Sequence, residues 1–177
     1  MAKVGLPYDI DTVRDEWIGK RSDTTRGRYP VEYDAIRRHC HMVEDTNPRF
    51  LDPDSPEAQT THGVVAPPVM VEYFAGQGVW PPSQDGPRLL TQVPTPGDRF
   101  INMGNELEFL QPLHIGDHLS SYVKIADVLQ KPIRLDPLAT WIVTETHFLN
   151  QNGDEVAIGR NTLHVHRSPD EVTSGLD

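Results

Sequence analysis

The chain has little cysteine: Cys40 is the single one in 177 residues. An internal disulfide is therefore excluded, and so is a zinc site built from several thiolates; the simplest setting is a reducing one, so a cytoplasmic location is expected. Long apolar runs are also missing. No stretch reaches the roughly 18 residues that a bilayer-spanning helix requires, and the start has no basic-then-apolar leader pattern, so a soluble, unprocessed chain with no membrane contact is expected. Positive charge is in short supply, with 16 Lys and Arg against 26 Asp and Glu and a formal net charge of −10. That balance disfavours nucleic acid as a partner, because phosphates attract basic surface. It leaves room for a phosphate-bearing small ligand held by a local basic rim. No internal repeat is visible, which argues against two fused copies of one fold.

Proline, by contrast, is plentiful: 16 residues, gathered at segment junctions and not in a low-complexity tract. A chain of this length is normally one domain with a full core. Asp9 reads as the cap of a short amphipathic helix carrying Val13, Trp17 and Ile18, ended by Gly19. Lys20, Arg21, Arg26 and Arg28 follow in a segment read as a solvated loop, with a basic lip for ligand phosphates as the alternative. Over residues 31–44, Tyr33, Ile36, Cys40 and Val43 form one apolar stripe at helical spacing, which makes Cys40 a core residue and not a reactive thiol. His39 and His41 fall on opposite sides of that helix and cannot share a metal.

Residues 46–63 are polar and broken by Asn47-Pro48, Asp52-Pro53 and Ser55-Pro56, an excursion long enough to suggest function. Gly63-Val64-Val65-Ala66-Pro67-Pro68 then opens a second helix, since proline fits the first turn where N–H groups lack partners anyway. Val71, Phe74, Ala75 and Gly78 carry its apolar face, and Gly76, Gly78 and Pro81-Pro82 end it. Four strand-like segments follow. Ile101 to Phe109 alternates apolar and polar residues, Leu119 to Ile125 repeats the pattern after a Gly116-Asp117 turn, Trp141 to Leu149 is rich in Thr, Val and aromatics, and Glu155 to Arg167 completes a hairpin through Asn152-Gly153. His164 and His166 share one strand face, but the sequence positions no third ligand beside them, so no metal is expected.

At Asp45-Thr46-Asn47-Pro48, with Asp52-Pro53 shortly after, the chain resembles the hydratase motif of the MaoC-like, or (R)-specific enoyl-CoA hydratase, family, which reads roughly Gly-Asp-x-Asn-Pro-x-His-x-Asp. Ala66-Pro67-Pro68, the run Phe109 to Asp117 and the run Asn150 to Glu155 are similar to other family signatures in order and spacing. The resemblance spans roughly residues 17–167. It implies an α+β hot-dog fold: one antiparallel sheet, expected here as a continuous meander, wrapped around a long central helix. The expected division is an N-terminal extension over 1–28, the hot-dog domain over 29–168 and a flexible tail over 169–177.

The resemblance also implies chemistry. Hydrating the double bond of an enoyl thioester needs a base for water, an acid for the α-carbon and N–H donors for the enolate oxygen. Asp45 maps onto the motif aspartate and Asn47 onto the buttressing asparagine. Phe50 stands where the histidine belongs and can move no proton. Ala66-Pro67 stands where active members commonly carry His-Gly, and a proline offers no N–H. His62, Gly63, Val65, Ala66 and Pro67 are the expected substrate-binding residues. The leading expectation is a subunit of an enoyl-CoA hydratase or 3-hydroxyacyl-thioester dehydratase that shapes the acyl pocket while a catalytic hot-dog partner does the chemistry, as a homodimer or heteromer. No cofactor is expected beyond the acyl-CoA or acyl-carrier thioester itself. The alternatives are a self-sufficient hydratase pairing Asp45 with His62, a thioesterase using Glu72, and a non-enzymatic acyl-thioester binder.

Overall fold

The computed structural model describes residues 8–76 and 89–174. Four long strands, β3 (Arg99–Phe109), β5 (Ser120–Gln130), β6 (Thr140–Leu149) and β7 (Glu155–His166), occupy the segments where the sequence alternates. A two-residue strand, β1 (Thr25–Arg26), completes a five-stranded antiparallel sheet in the order β1-β5-β6-β7-β3. The order corrects the expected continuous meander. β5, β6 and β7 do follow one another, but β3 pairs with β7 at the far edge, from Arg99 opposite His166 to Phe109 opposite Ala157. The reason is local: after β3 the chain enters a short ribbon in which β4 (Leu113–His114) pairs with β2 (Val65–Ala66), and it crosses before β5 begins. The turn that follows is held by Gly116 at φ 94° and by the Asp117 carboxylate, which accepts the His114 N–H at 2.7 Å.

One face of β5, β6 and β7 carries the buried residues of the sheet, and two groups of helices cover it. Helix α2 (Tyr33–Val43), a 3₁₀ turn (Pro68–Met70) and α5 (Val71–Ala75) cover the end around Leu119, Phe148 and Ala157, with Ile36, Cys40, Val71 and Phe74 in the core between them. Helices α1 (Ile10–Trp17) and α6 (Leu89–Gln92) cover the other end, where Val13 and Val93 meet Ile125, Val128, Ile142 and Val165. The helix expected to open at Gly63 starts later. Val65 and Ala66 are taken into β2, and the expected inward positions Val71, Phe74 and Ala75 are buried; Gly78 lies outside the described residues. The α2 stripe is buried at Ile36 and Cys40, whereas Tyr33 and Val43 at its ends stay exposed.

The N-terminal region is part of the sheet and not a solvated loop. Gly19 N–H donates to the Ile125 carbonyl, Ile125 N–H to that of Lys20, Ser22 N–H to that of Val123, and Gly27 N–H to that of Leu119. Gly27 passes so close to α5 that a Cβ there would strike the Phe74 carbonyl. The segment carries no hydrophobic alternation because both residues of β1 are exposed; main-chain bonds place it, helped by the Ser22 hydroxyl, which accepts the Val123 N–H at 3.0 Å. The 169–177 segment, expected as a flexible tail, begins with helix α7 (Pro169–Thr173), held by a capping box between Ser168 and Glu171.

The link from β5 to β6 is anchored by a buried ion pair. Asp136 is fully buried and accepts hydrogen bonds from the Arg167 N–H at 2.7 Å, from the Arg167 guanidinium at 3.0 and 3.2 Å, and from the Leu138 N–H at 2.9 Å. Burial pushes its carboxyl pKa up, but the hydrogen bonds and charge of Arg167 outweigh burial and leave it below the usual aspartate value. Removing one partner of such a pair strands a buried charge. Asp136→Asn should therefore cost about 3 kcal/mol in urea unfolding at pH 7. A group with a depressed folded pKa stabilises above its unfolded pKa, about 3.9, and loses that contribution as pH falls through the folded value. The gap between wild type and variant should close below about pH 4; a gap constant from pH 7 to pH 3 would contradict this assignment.

Candidate functional site

The motif region lies between α2 and β2. Helix α2 ends with Glu44 in the left-handed region at φ 58°, at the position the family motif gives to glycine. Its N–H reaches the carbonyls of Cys40 and His41. Asp45 N–H then donates to the Cys40 carbonyl at 2.9 Å, while the Asp45 carboxylate accepts the Asn47 N–H at 2.9 Å. Asn47 in turn caps the four-residue helix α3 (Pro48–Leu51), its side-chain oxygen accepting the Arg49 N–H at 3.1 Å. Both motif residues thus hold the backbone of a turn, the local hydrogen bonding at which Asp and Asn excel. Tyr33 ties the same turn to α2 through its hydroxyl, which donates to the Leu51 carbonyl at 2.8 Å.

Two separate concavities result. Asp45 lines an open groove of about 540 Å³ with Arg37, Cys40, His41, Glu44, Thr46 and Leu51. Burial first, and then the Asp45 charge, push the Cys40 thiol above its usual pKa, so it is a protonated core residue. On the other side of α3, Arg49 and Phe50 line a cavity of about 310 Å³ with Val65, Ala66, Pro68 and the segment Phe109 to Pro112. Phe50 is half-buried and packs against the core under α2. Asp45 and the residue standing in for the motif histidine therefore face different spaces.

The remaining expected residues divide in the same way. Val65 and Ala66 are buried in the β2-β4 ribbon, opposite His114 and Leu113, and reach the Phe50 cavity. Pro67 is buried beside them, its carbonyl accepting the Met70 N–H at 2.9 Å. His62 and Gly63 take no part in either concavity. Short helix α4 (Pro56–Gln59), capped by Ser55, leads into them; His62 is exposed with φ 57°, and the Gly63 N–H closes onto the Ala58 carbonyl at 2.9 Å. Glu72 is exposed and lines a third groove of about 410 Å³ with Val69, Tyr73 and residues of α2. Arg49 is the residue that motif reading passes over, because the motif leaves its position open. The sequence offers no local signal for it, since only the fold brings Arg49 against Val65, Ala66 and Phe109.

Comparison with known proteins agrees with this architecture. The model of the FAS1-like dehydratase domain region matches residues 16–158. A probable enoyl-CoA hydratase alpha subunit of Thermomonospora curvata is 28% identical over 160 residues, covering 86% of this chain and 50% of that protein. The chain thus spans about half the length of the curated relative it matches. Among solved structures, the ChsH1-ChsH2 complex of Mycobacterium tuberculosis superposes with a TM-score of 0.69 at 19% identity, covering 89% of each chain. The MaoC-like dehydratase of Rhodospirillum rubrum superposes at 0.60 with 23% identity, covering 88% of this chain and 96% of the other. With the sheet, its helical cover and the motif turn in place, the chain belongs to the FAS1-like dehydratase-domain family and is a MaoC-like hot-dog domain.

Proposed function

We propose that this chain is the half-site subunit of an enoyl-CoA hydratase or 3-hydroxyacyl-thioester dehydratase: it forms the wall of an acyl pocket, and a second hot-dog subunit supplies the acid/base pair. The observation that carries this reading is the divergence of Asp45 and Phe50. Hydration needs an acid and a base on one water, and the family motif supplies them as an aspartate and a histidine that share one space. Here Asp45 lines one groove and Phe50 lines the other. The Phe50 cavity is largely apolar, concave and of a size that suits part of an acyl chain. Pairing Asp45 with His62 lacks geometric support, since His62 faces neither concavity.

The sheet offers a place for the second subunit. β3 is an edge strand of 11 residues among the described elements, and Ile101 and Met103 on it are 46% and 50% exposed. Long exposed apolar edges invite pairing with another strand and are rare on isolated chains. Two relatives support a heteromer: one is named an alpha subunit, and the other is a complex of two different chains.

Two experiments test this reading. The purified chain alone, given a medium-chain trans-2-enoyl-CoA and followed by loss of enoyl absorbance, should show no turnover, and Asp45→Asn should behave identically. Activity should appear on adding a catalytic hot-dog subunit. Turnover by the isolated chain that disappears in Asp45→Asn would overturn the half-site reading. Separately, the double substitution Ile101→Lys and Met103→Lys should reduce the assembly to monomers by light scattering while leaving the circular dichroism spectrum intact. An unchanged mass would place the contact elsewhere.

A further inference from the structure

The acyl cavity holds an unanswered positive charge. The Nε of Arg49 is buried and has no hydrogen-bond partner, and no carboxylate of the described residues lies within ion-pair distance of its guanidinium. Around it stand Phe50, Val65, Ala66, Phe109 and Leu110, none of which carries a charged or hydrogen-bonding side chain. The nearest polar side chain in the lining, Gln111, is already engaged, donating to the Glu155 carbonyl at 3.1 Å. Arginine cannot shed its charge in a protein, so desolvation cannot be relieved by deprotonation. Arg49 is half-buried, and a guanidinium set among apolar side chains with no carboxylate beside it is a ready partner for an anion of matching geometry. The chain carries ten net negative charges, and Arg14, Arg37, Arg38, Lys124 and Arg160 each lie within ion-pair distance of a carboxylate.

We propose that Arg49 is a specificity residue: the cavity takes acyl thioesters whose acyl chain carries a carboxylate, which the guanidinium binds through paired N–H donors. A carboxylate is favoured over a neutral carbonyl because it cancels the charge and accepts two parallel hydrogen bonds from the planar fork. The apolar lining would enclose the methylenes between the thioester and that distal group. Arg49 binds and orients; it moves no proton. This inference rests on reading the Phe50 cavity as the acyl pocket and adds the class of acyl group that it selects.

The test uses the full chain, together with any subunit that copurifies, in calorimetric titrations with three probes: octanoyl-CoA, the mono-CoA thioester of octanedioic acid, and free octanedioic acid. The expected result is that the carboxylated thioester binds about ten-fold or more tightly than octanoyl-CoA, the tenfold step that one modest ion pair supplies. Arg49→Leu should bring that ratio to about one, and Arg49→Lys should retain part of it, because lysine keeps the charge and loses the fork. Equal binding of the two thioesters by the wild-type chain, or an Arg49→Leu effect that weakens both alike, would overturn the assignment and leave the acyl-pocket reading standing. Binding of free octanedioic acid, lost in Arg49→Leu, with neither thioester bound, would keep Arg49 as a carboxylate site and remove the thioester reading. Failure of all three probes would overturn both.

Discussion

The inward face of β6 sets the constraint that the rest of the chain answers. Its ten residues extend roughly 33 Å, and their inward side chains run from Thr140 and Ile142 through Thr144 to Phe148, all buried. The 3₁₀ turn and α5 together span only about 13 Å, too little to cover such a strand. Two covers are therefore required. Helix α2 joins the first over Phe148, and α1 with α6 supplies the second over Ile142. The N-terminal region follows from this arithmetic: it carries α1 to the uncovered end, and β1 fastens the connection to β5. Without it, Ile125, Val128 and Ile142 would face water at the end of the sheet remote from α5.

The same geometry decides what the motif can do. Helix α2 is held down by Ile36 and Cys40, so its C-terminus arrives at a fixed place, and the chain must reverse there to reach β2. Glu44, Asp45 and Asn47 make that reversal through a left-handed cap, a side-chain-closed turn and a helix cap in succession. Each is an ordinary backbone device worth about 1 kcal/mol. In a motif whose histidine is intact, these devices and the chemistry can coexist. With Phe50 in place, what persists of the motif is its turn, and that turn directs Arg49 and Phe50 away from Asp45 toward β2 and the end of β3.

Much of this was legible in the sequence, and the illegible parts share a cause. Period-two alternation located β5, β6 and β7, which bury one face, and also β3, which is exposed almost throughout; helical spacing located α2 through Ile36 and Cys40. Strand order was not legible: it depends on the β2-β4 ribbon, whose strands of two residues are too short to show a period. Residues 19–27 pair with β5 mainly through main-chain groups, which leave no periodic pattern in the sequence, so composition suggested only a loop. Asp136 and Arg167 lie 31 residues apart in the chain, and no local pattern announces a pair made across a fold. Within the site, Asp45, Asn47 and Phe50 were found by resemblance, whereas Arg49 needed coordinates, because what distinguishes it is the absence of a partner.

Phe50 and Arg49 are best understood as one change and not two. A catalytic imidazole at position 50 would have to gain and release a proton in the cavity that Arg49 shares. A guanidinium beside it would disfavour the imidazolium and depress its pKa, with little solvent to screen the repulsion. A histidine acid/base and an unpaired arginine are thus poor neighbours in an apolar cavity. Once the histidine is gone, that penalty is gone as well, and a cation there becomes useful for binding. A phenyl ring is the compatible companion: it fills the imidazole's volume and adds no charge to compete with an anion for Arg49. The proposed half-site role and the proposed anion-binding wall then rest on the same electrostatic argument. In a two-subunit hydratase, they would divide proton transfer and substrate selection between the two hot-dog domains.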